Sequence, residues 1–191
     1  MMTDTDKHKI EHSILYVFFG LIASGKSTLA ELFAERQKLP YYNTDRIRKD
    51  LAGRAANEHR SDGMGQGIYT PEFTEKTYQD ILDKASQDCK QGAAGVVLDG
   101  SYSKATDRHK VIELAKILHA NVLFVLCSCS EQETRQRLAL RAKDPHAVSD
   151  GRWEIFVQQR EKFEQPNELP LHQITFIDTE ADPESLLELV Q

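Results

Sequence analysis

The sequence predicts a doubly wound α/β domain, a five-stranded parallel sheet with helices on both faces and a small helical lid. Three observations predict it. Short apolar runs alternate with segments of helical periodicity from residue 14 onward. The first run, Ile14-Leu15-Tyr16-Val17-Phe18-Phe19, is continuously apolar, as suits a strand buried on both faces of a parallel sheet. At 191 residues the chain suits one compact domain with room for a short lid or inserted loop.

Each element has its own signal. Residues 1–12 are polar and charged and read as a frayed tail ahead of a single domain at 13–191. The first strand ends at Gly20, and from Lys26 the pattern turns helical, with Leu29, Leu32 and Phe33 on one face. Tyr41-Tyr42-Asn43 predicts a second, short strand, and a helix runs from about Asp45 to Leu51. Residues 53–70 hold Gly53, Gly63, Gly65 and Gly67 without a clean period. Periodic segments flank them closely, so they read as a functional loop on the acceptor side. Thr70-Pro71 supplies an N-cap and a first-turn proline for a helix reaching about Gln91, with Tyr78, Ile81, Leu82, Ala85 and Cys89 inward.

Val96-Val97-Leu98 is the third strand, ending at Asp99. A helix at roughly 104–118 buries Val111, Leu114, Ala115 and Leu118, and Asn121 to Cys127 makes the fourth strand. Ser130-Glu131-Gln132-Glu133 fits a capping box opening a helix to about Arg141. A polar stretch with Pro145 follows, then helical spacing of Trp153, Phe156, Val157 and Arg160. Gln173 to Ile177 is the fifth strand, and Asp182-Pro183 opens a last short helix.

Composition narrows the function classes. Apolar residues at 40% support a core, and charged residues at 28% suit a solvated surface. The formal charge of −6 supplies no global basic field of the kind that drives nonspecific nucleic-acid binding. Cys89, Cys127 and Cys129 have neither a disulfide pattern nor a zinc spacing and read as free thiols. No stretch approaches the ~20 apolar residues of a membrane span, and the N-terminus lacks the apolar core of a signal peptide. A cytoplasmic location is the expectation.

Gly20-Leu21-Ile22-Ala23-Ser24-Gly25-Lys26-Ser27 matches the Walker A pattern G-x-x-x-x-G-K-[ST], between a buried strand and a helix. That context predicts a P-loop. Its backbone N–H groups converge on phosphates and the helix N-terminus reinforces them. Gly20, Ala23, Ser24, Gly25, Lys26, Ser27 and Thr28 are therefore the candidate ATP-binding residues, Lys26 reaching the β and γ oxygens and the Ser27 hydroxyl binding Mg2+.

Ligands of open parallel sheets bind outside the carboxyl ends of the strands, so residues just past each strand are the next candidates. After the second strand, Asp45 and Arg48 lie one turn apart. The carboxylate suits a general base, with Arg48 holding the acceptor or neutralising charge; an N-cap aspartate with an i,i+3 ion pair fits the same pattern. After the third, Asp99 ends an apolar strand in the Walker B manner, a metal-ordering carboxylate, or alternatively a turn residue beside Gly100. No Glu follows it, which favours transfer to an acceptor over plain hydrolysis. Past the fourth, Arg137 and Arg141 share a helical face. They suit a lid at about 137–152 closing cations over the nucleotide, or a solvated face paired with Glu131 and Glu133.

Together these segments resemble the P-loop kinases related to polynucleotide 5′-hydroxyl kinase and zeta toxin. The likeness is greatest to a "predicted kinase" branch with an AAA-type P-loop domain, often fused to an aminoglycoside-phosphotransferase-like domain. It covers roughly residues 14–165 and includes Gly65-Gln66-Gly67-Ile68-Tyr69-Thr70-Pro71-Glu72. The resemblance implies a general-base role for Asp45 and an acceptor-side role for Arg48. Where that family has D-T-N after the third strand, this chain has Asp99-Gly100-Ser101. A D-x-x-R motif also occurs in adenylate-kinase-like enzymes, where the Arg grips an acceptor phosphate, so the motif leaves hydroxyl and phosphate acceptors open.

The expected function is a Mg2+- and ATP-dependent kinase acting on a hydroxyl of a small molecule, with Lys26, Asp45, Arg48 and Arg141 as catalytic residues. A polynucleotide acceptor would need a basic track such as Arg46, Arg48, Lys49, Arg54 and Arg60. A nucleotide-gated regulatory module is the reading from another class.

Overall fold

The computed structural model describes residues 12–53, 67–143 and 152–190 of the chain. In chain order these form β1 (Ile14–Phe19), α1 (Lys26–Gln37), β2 (Tyr41–Asn43), α2 (Thr44–Leu51), α3 (Pro71–Lys90) and β3 (Gly95–Asp99). There follow α4 (Ala105–Leu118), β4 (Asn121–Ser128), α5 (Glu131–Arg141), α6 (Trp153–Lys162), β5 (Ile174–Asp178) and α7 (Pro183–Leu186). The five strands are parallel, in the order β2-β3-β1-β4-β5. This is the fold the strand–helix alternation predicts.

Alternation along β1 divides the core between the two faces. Leu15, Val17 and Phe19 pack with Val96, Leu98 and Phe124 against Ile81 of α3 and Val111 of α4. Phe18 turns the other way with Val97, Val125 and Ile177, against Leu29 and Phe33 of α1 and Leu186 of α7. A third, smaller cluster joins Ile22 and Ala23 of the glycine-rich turn to Leu138 of α5 and Phe156 of α6. Burying each such large side chain favours the fold by about 1.5–3 kcal/mol, so Leu15 and Val17 to Phe19 of the central strand leave no room for a polar residue.

The strand register sets the site. Asp99 lies level with Phe18 on β1 and with Asn43 on β2. The end of β3, the first residues past β2 and the turn after β1 are therefore placed side by side.

Local differences from the sequence-based expectation have local causes. α2 starts at Thr44 rather than Asp45 because the Asn43 side chain caps it, accepting from the amides of Asp45 and Arg46, both at 3.0 Å. β5 starts one residue later than expected, since Leu171–Gln173 form a 3-10 turn after Pro170. Gly67–Tyr69 form another such turn at the end of the expected 53–70 loop. The rest of that loop, the expected tail before residue 12 and the 144–151 part of the lid lie outside the described residues. The three cysteines are free, with Cys127 buried and Cys89 and Cys129 half-buried. Burial pushes the Cys127 thiol up to about 12, so it stays a protonated, apolar filler. No described helix is long and apolar enough to cross a membrane.

Candidate functional site

The turn after β1 has the backbone its sequence demands. Gly20, Ala23 and Gly25 have φ of 142°, 61° and 80°. A Cβ on Gly20 would lie 2.3 Å from the Cys127 carbonyl oxygen, and one on Gly25 would lie 2.7 Å from Thr179 Oγ1. Both glycines are thus required by space as well as by φ. α1 begins immediately after, with Gly25 at its N-cap and no side chain capping it. Its first amides are left for an anion. Lys26 folds back over the turn, its Nζ donating to the Leu21 carbonyl at 3.3 Å. Ser27 is half-buried and Thr28 exposed at the same end of the helix.

Asp99 is fully buried. Its Oδ2 accepts from the Tyr41 hydroxyl at 2.8 Å and from Asn43 Nδ2, while its Oδ1 is buried without a hydrogen-bond partner among the described residues. An isolated buried carboxylate oxygen is costly, so Oδ1 is the atom most in need of a cation. Burial and the adjacent Asp99 charge both push the Tyr41 phenol well above its ordinary range, keeping it a donor. Hard oxygen ligands from Asp99 and Ser27 fit Mg2+. No group of three or more His, Cys, Asp or Glu able to hold a metal occurs among the described residues. An ion there would need oxygens from phosphate and water as well.

Gly100 explains the departure from D-T-N. A Cβ at this position would lie 2.6 Å from Thr44 Cγ2. The first residue of α2 occupies the space a side chain would need, and the helix N-terminus docks directly onto the end of β3.

Asp45 and Arg48 form the expected pair, Arg48 Nη1 donating to Asp45 Oδ1 at 2.9 Å. The two side chains differ in exposure, 9% for Arg48 and 32% for Asp45. The carboxylate faces open space. The guanidinium is sunk beneath it, 5.0 Å from the centre of the Tyr69 ring. Arg48 thus forms the i,i+3 ion pair with Asp45 from a more buried position, and its Nε has no hydrogen-bond partner among the described residues. The basic track also changes. Lys49 is 1% exposed, and Arg46 pairs with Glu31 at 2.9 Å beneath the Tyr41 ring.

Arg137 and Arg141 share a helical face but do different work. Arg137 is bound on every side: Nε donates to Glu133 at 2.8 Å, Nη2 to the Thr179 carbonyl at 2.7 Å, and Nη1 to Thr179 Oγ1 at 2.9 Å and to the Ala23 carbonyl at 3.3 Å. It is a fixed strut between the turn after β1 and the end of β5. Arg141 makes none of these bonds. Burial lowers its affinity for a proton, and the charges of Asp45 and Asp99 oppose that fall, so the guanidinium is electrostatically coupled to both carboxylates. It remains a cation.

A cavity of about 330 Å³ opens beside the turn, lined by Thr28, Arg137, Leu140, Arg141, Pro183 and Leu186 among others. Leu140 is 68% exposed, an unusual state that its place on the cavity wall accounts for. The cavity lining combines apolar Leu29, Leu140, Pro183 and Leu186 with the guanidinium groups of Arg137 and Arg141 and with Gly25 of the turn. That combination suits a nucleoside with its phosphates directed at the turn.

Two sets of residues were not singled out by sequence reasoning. Tyr41 and Asn43 hold Asp99, and Asn43 belonged to the motif without having a role there. Thr179, immediately past β5, donates its hydroxyl to the Ser24 carbonyl at 2.7 Å and receives Arg137. Its signal was available, since the rule that examines residues past each strand applies to the fifth strand as to the others.

Comparison with known proteins agrees with the fold. The family model described as an AAA domain matches residues 15–166. No curated protein matches the sequence. Among solved structures, a sugar kinase from Janibacter superposes with a TM-score of 0.65 at 18% identity, over 93% of this chain and 91% of that one. A gluconokinase from Sinorhizobium meliloti superposes at 0.61 and 20% identity, over 94% and 89%. The APS kinase CysC of Mycobacterium tuberculosis, in complex with AMPPNP and APS, does so at 0.59 and 16%, over 93% and 94%. At these identities the likeness speaks for the fold.

Proposed function

The chain belongs to the AAA domain family, and from that premise we propose that it transfers the γ-phosphoryl group of ATP to a hydroxyl of a small-molecule acceptor. The observation that carries the proposal is the half-open Asp45 carboxylate, paired with buried Arg48 and electrostatically coupled to Arg141.

In this reading the uncapped amides of residues 26–28 at the start of α1 and the Lys26 side chain bind the phosphates, and the 330 Å³ cavity takes the nucleoside. Asp45 accepts the proton of the acceptor hydroxyl as that oxygen bonds to the γ-phosphorus and the bond to the β–γ bridging oxygen breaks, releasing ADP. Arg141 balances the charge that spreads over the transferred group. Asp99 Oδ1 and the Ser27 hydroxyl would hold Mg2+, which when bound would supply positive charge to offset that of the phosphates.

A hydroxyl acceptor is favoured over a phosphate one because Arg48, the cation that would grip an acceptor phosphate, is buried, ion-paired and stacked on Tyr69. The same burial of Arg48 and Lys49 removes part of the track that a polynucleotide would need. The likeness to a sugar kinase and a gluconokinase makes polyols and sugar acids the first acceptors to try.

The test is ADP release from Mg-ATP across a panel of sugars, polyols and hydroxy acids, with product identified by phosphorus NMR. Asp45→Asn should lower acceptor-dependent turnover by about a hundredfold or more while ADP still binds. Full transfer by that variant, or ADP release indifferent to every acceptor, would sink the proposal.

A further inference from the structure

We propose that Gln159 on α6 is a positioning residue for the phosphate-binding turn, setting its nucleotide affinity from a helix that contributes no phosphate ligand. This rests on the nucleotide-binding part of the reading above.

Part of the turn is packed, Ile22 and Ala23 joining Leu138 and Phe156, and part borders open space. Behind it lies a second cavity of about 340 Å³, with Leu21, Ile22 and Ser24 on one side and Cys129, Phe156 and Phe163 on the other. The Ser24 hydroxyl is buried there without a partner among the described residues. A backbone that borders a void takes its shape from hydrogen bonds rather than from close-packed neighbours.

Those bonds come from side chains far away in the chain. The Ala23 carbonyl accepts from Arg137 Nη1 at 3.3 Å and from the Cys129 thiol at 3.7 Å, and the Ser24 carbonyl accepts from Thr179 Oγ1 at 2.7 Å. These three tethers hold carbonyls. Gln159 differs in holding an amide, its Oε1 accepting from Ile22 N at 2.8 Å across 137 residues of sequence.

Gln159 Oε1 is the acceptor the Ile22 amide has among the described residues, so its loss leaves that peptide without its protein partner. An N–H that has lost its acceptor favours backbone arrangements that re-pair it. The turn would then lose the bond that presets this peptide, and phosphate binding would have to restore it. The amide side chain also suits the place, because a carboxylate there would put a negative charge next to the phosphates.

The test is ADP binding by titration calorimetry, which needs no acceptor. Gln159→Met keeps the side-chain volume without the acceptor, and Gln159→Asn keeps the amide but withdraws it by one methylene. Gln158→Met, the same change at the exposed neighbouring position, is the control. Both Gln159 variants should bind ADP about tenfold more weakly than the wild type, with Gln158→Met unchanged. Wild-type affinity in both Gln159 variants, or an equal loss in the control, overturns the inference. If the wild type itself binds no ADP, the nucleotide reading fails and this inference with it, an outcome visible without any variant.

Discussion

At the scale of single residues, the site depends on a few atoms whose neighbours leave no slack. Gly25 is one. Its φ of 80° strains any L side chain, and an added Cβ would press against Thr179 Oγ1 at 2.7 Å and Arg137 Nη1 at 3.0 Å. Backbone strain of this kind costs about 1–3 kcal/mol, and relief requires the Arg137–Thr179 contact to part. Gly25→Ala should therefore weaken ADP binding at least about tenfold. Thermal melting of the unliganded protein should fall by a few degrees at most. Calorimetry and a melt separate the two effects.

At the scale of elements, the junction of β2 and α2 links the helix to the buried Asp99 carboxylate through one side chain. Asn43 Oδ1 caps α2 while Nδ2 donates to Asp99. Aspartate and asparagine are about equal as N-caps, so a purely capping role would make Asn43→Asp harmless. Here the substitution sets a second carboxylate against buried Asp99. Asn43→Asp should accordingly be more destabilising than Asn43→Ala, which forfeits about 1 kcal/mol of cap and one hydrogen bond to the buried carboxylate. Urea denaturation of the two variants decides it. An Asp variant as stable as the wild type would mean that Asn43 does not support Asp99.

At the scale of the whole molecule, the face of the sheet covered by α3 and α4 contains a charge as buried as any apolar side chain. Arg108 of α4 is fully buried and paired with Glu168, which lies beyond α6, and it donates from Nη1 to the Tyr102 carbonyl at 2.8 Å. Burial by itself raises the Glu168 carboxyl, but hydrogen bonding to Arg108, then its own backbone amide and the Arg108 charge bring it below the ordinary 4.5. A depressed carboxyl contributes stability that is complete above its unfolded value and is lost as pH falls through the folded one. Melting temperature should thus decline below about pH 4.5. Glu168→Gln should flatten that decline and cost about 3 kcal/mol at neutral pH, by leaving a buried guanidinium without its counter-charge. Melts of both proteins between pH 7 and 3.5 check the sign.

The amino-acid sequence by itself determined the order of strands and helices, the phosphate-binding turn and the places of Asp45 and Asp99. These are carried by neighbouring residues: the periods of Ile14–Phe19 and of Pro71–Lys90, the caps at Thr70 and Ser130, and the glycines at 20 and 25. Tertiary structure alone decided what those residues do in company. It sank Arg48 beneath Asp45, made Arg137 a strut while leaving Arg141 coupled to the carboxylates, and placed Thr179 and Gln159 under the turn from 155 and 137 residues away. Two arginines four apart look alike in sequence. Only the packing of α5 against the turn and the end of β5 separates a guanidinium that is fully hydrogen-bonded from one that answers to the charges of the site.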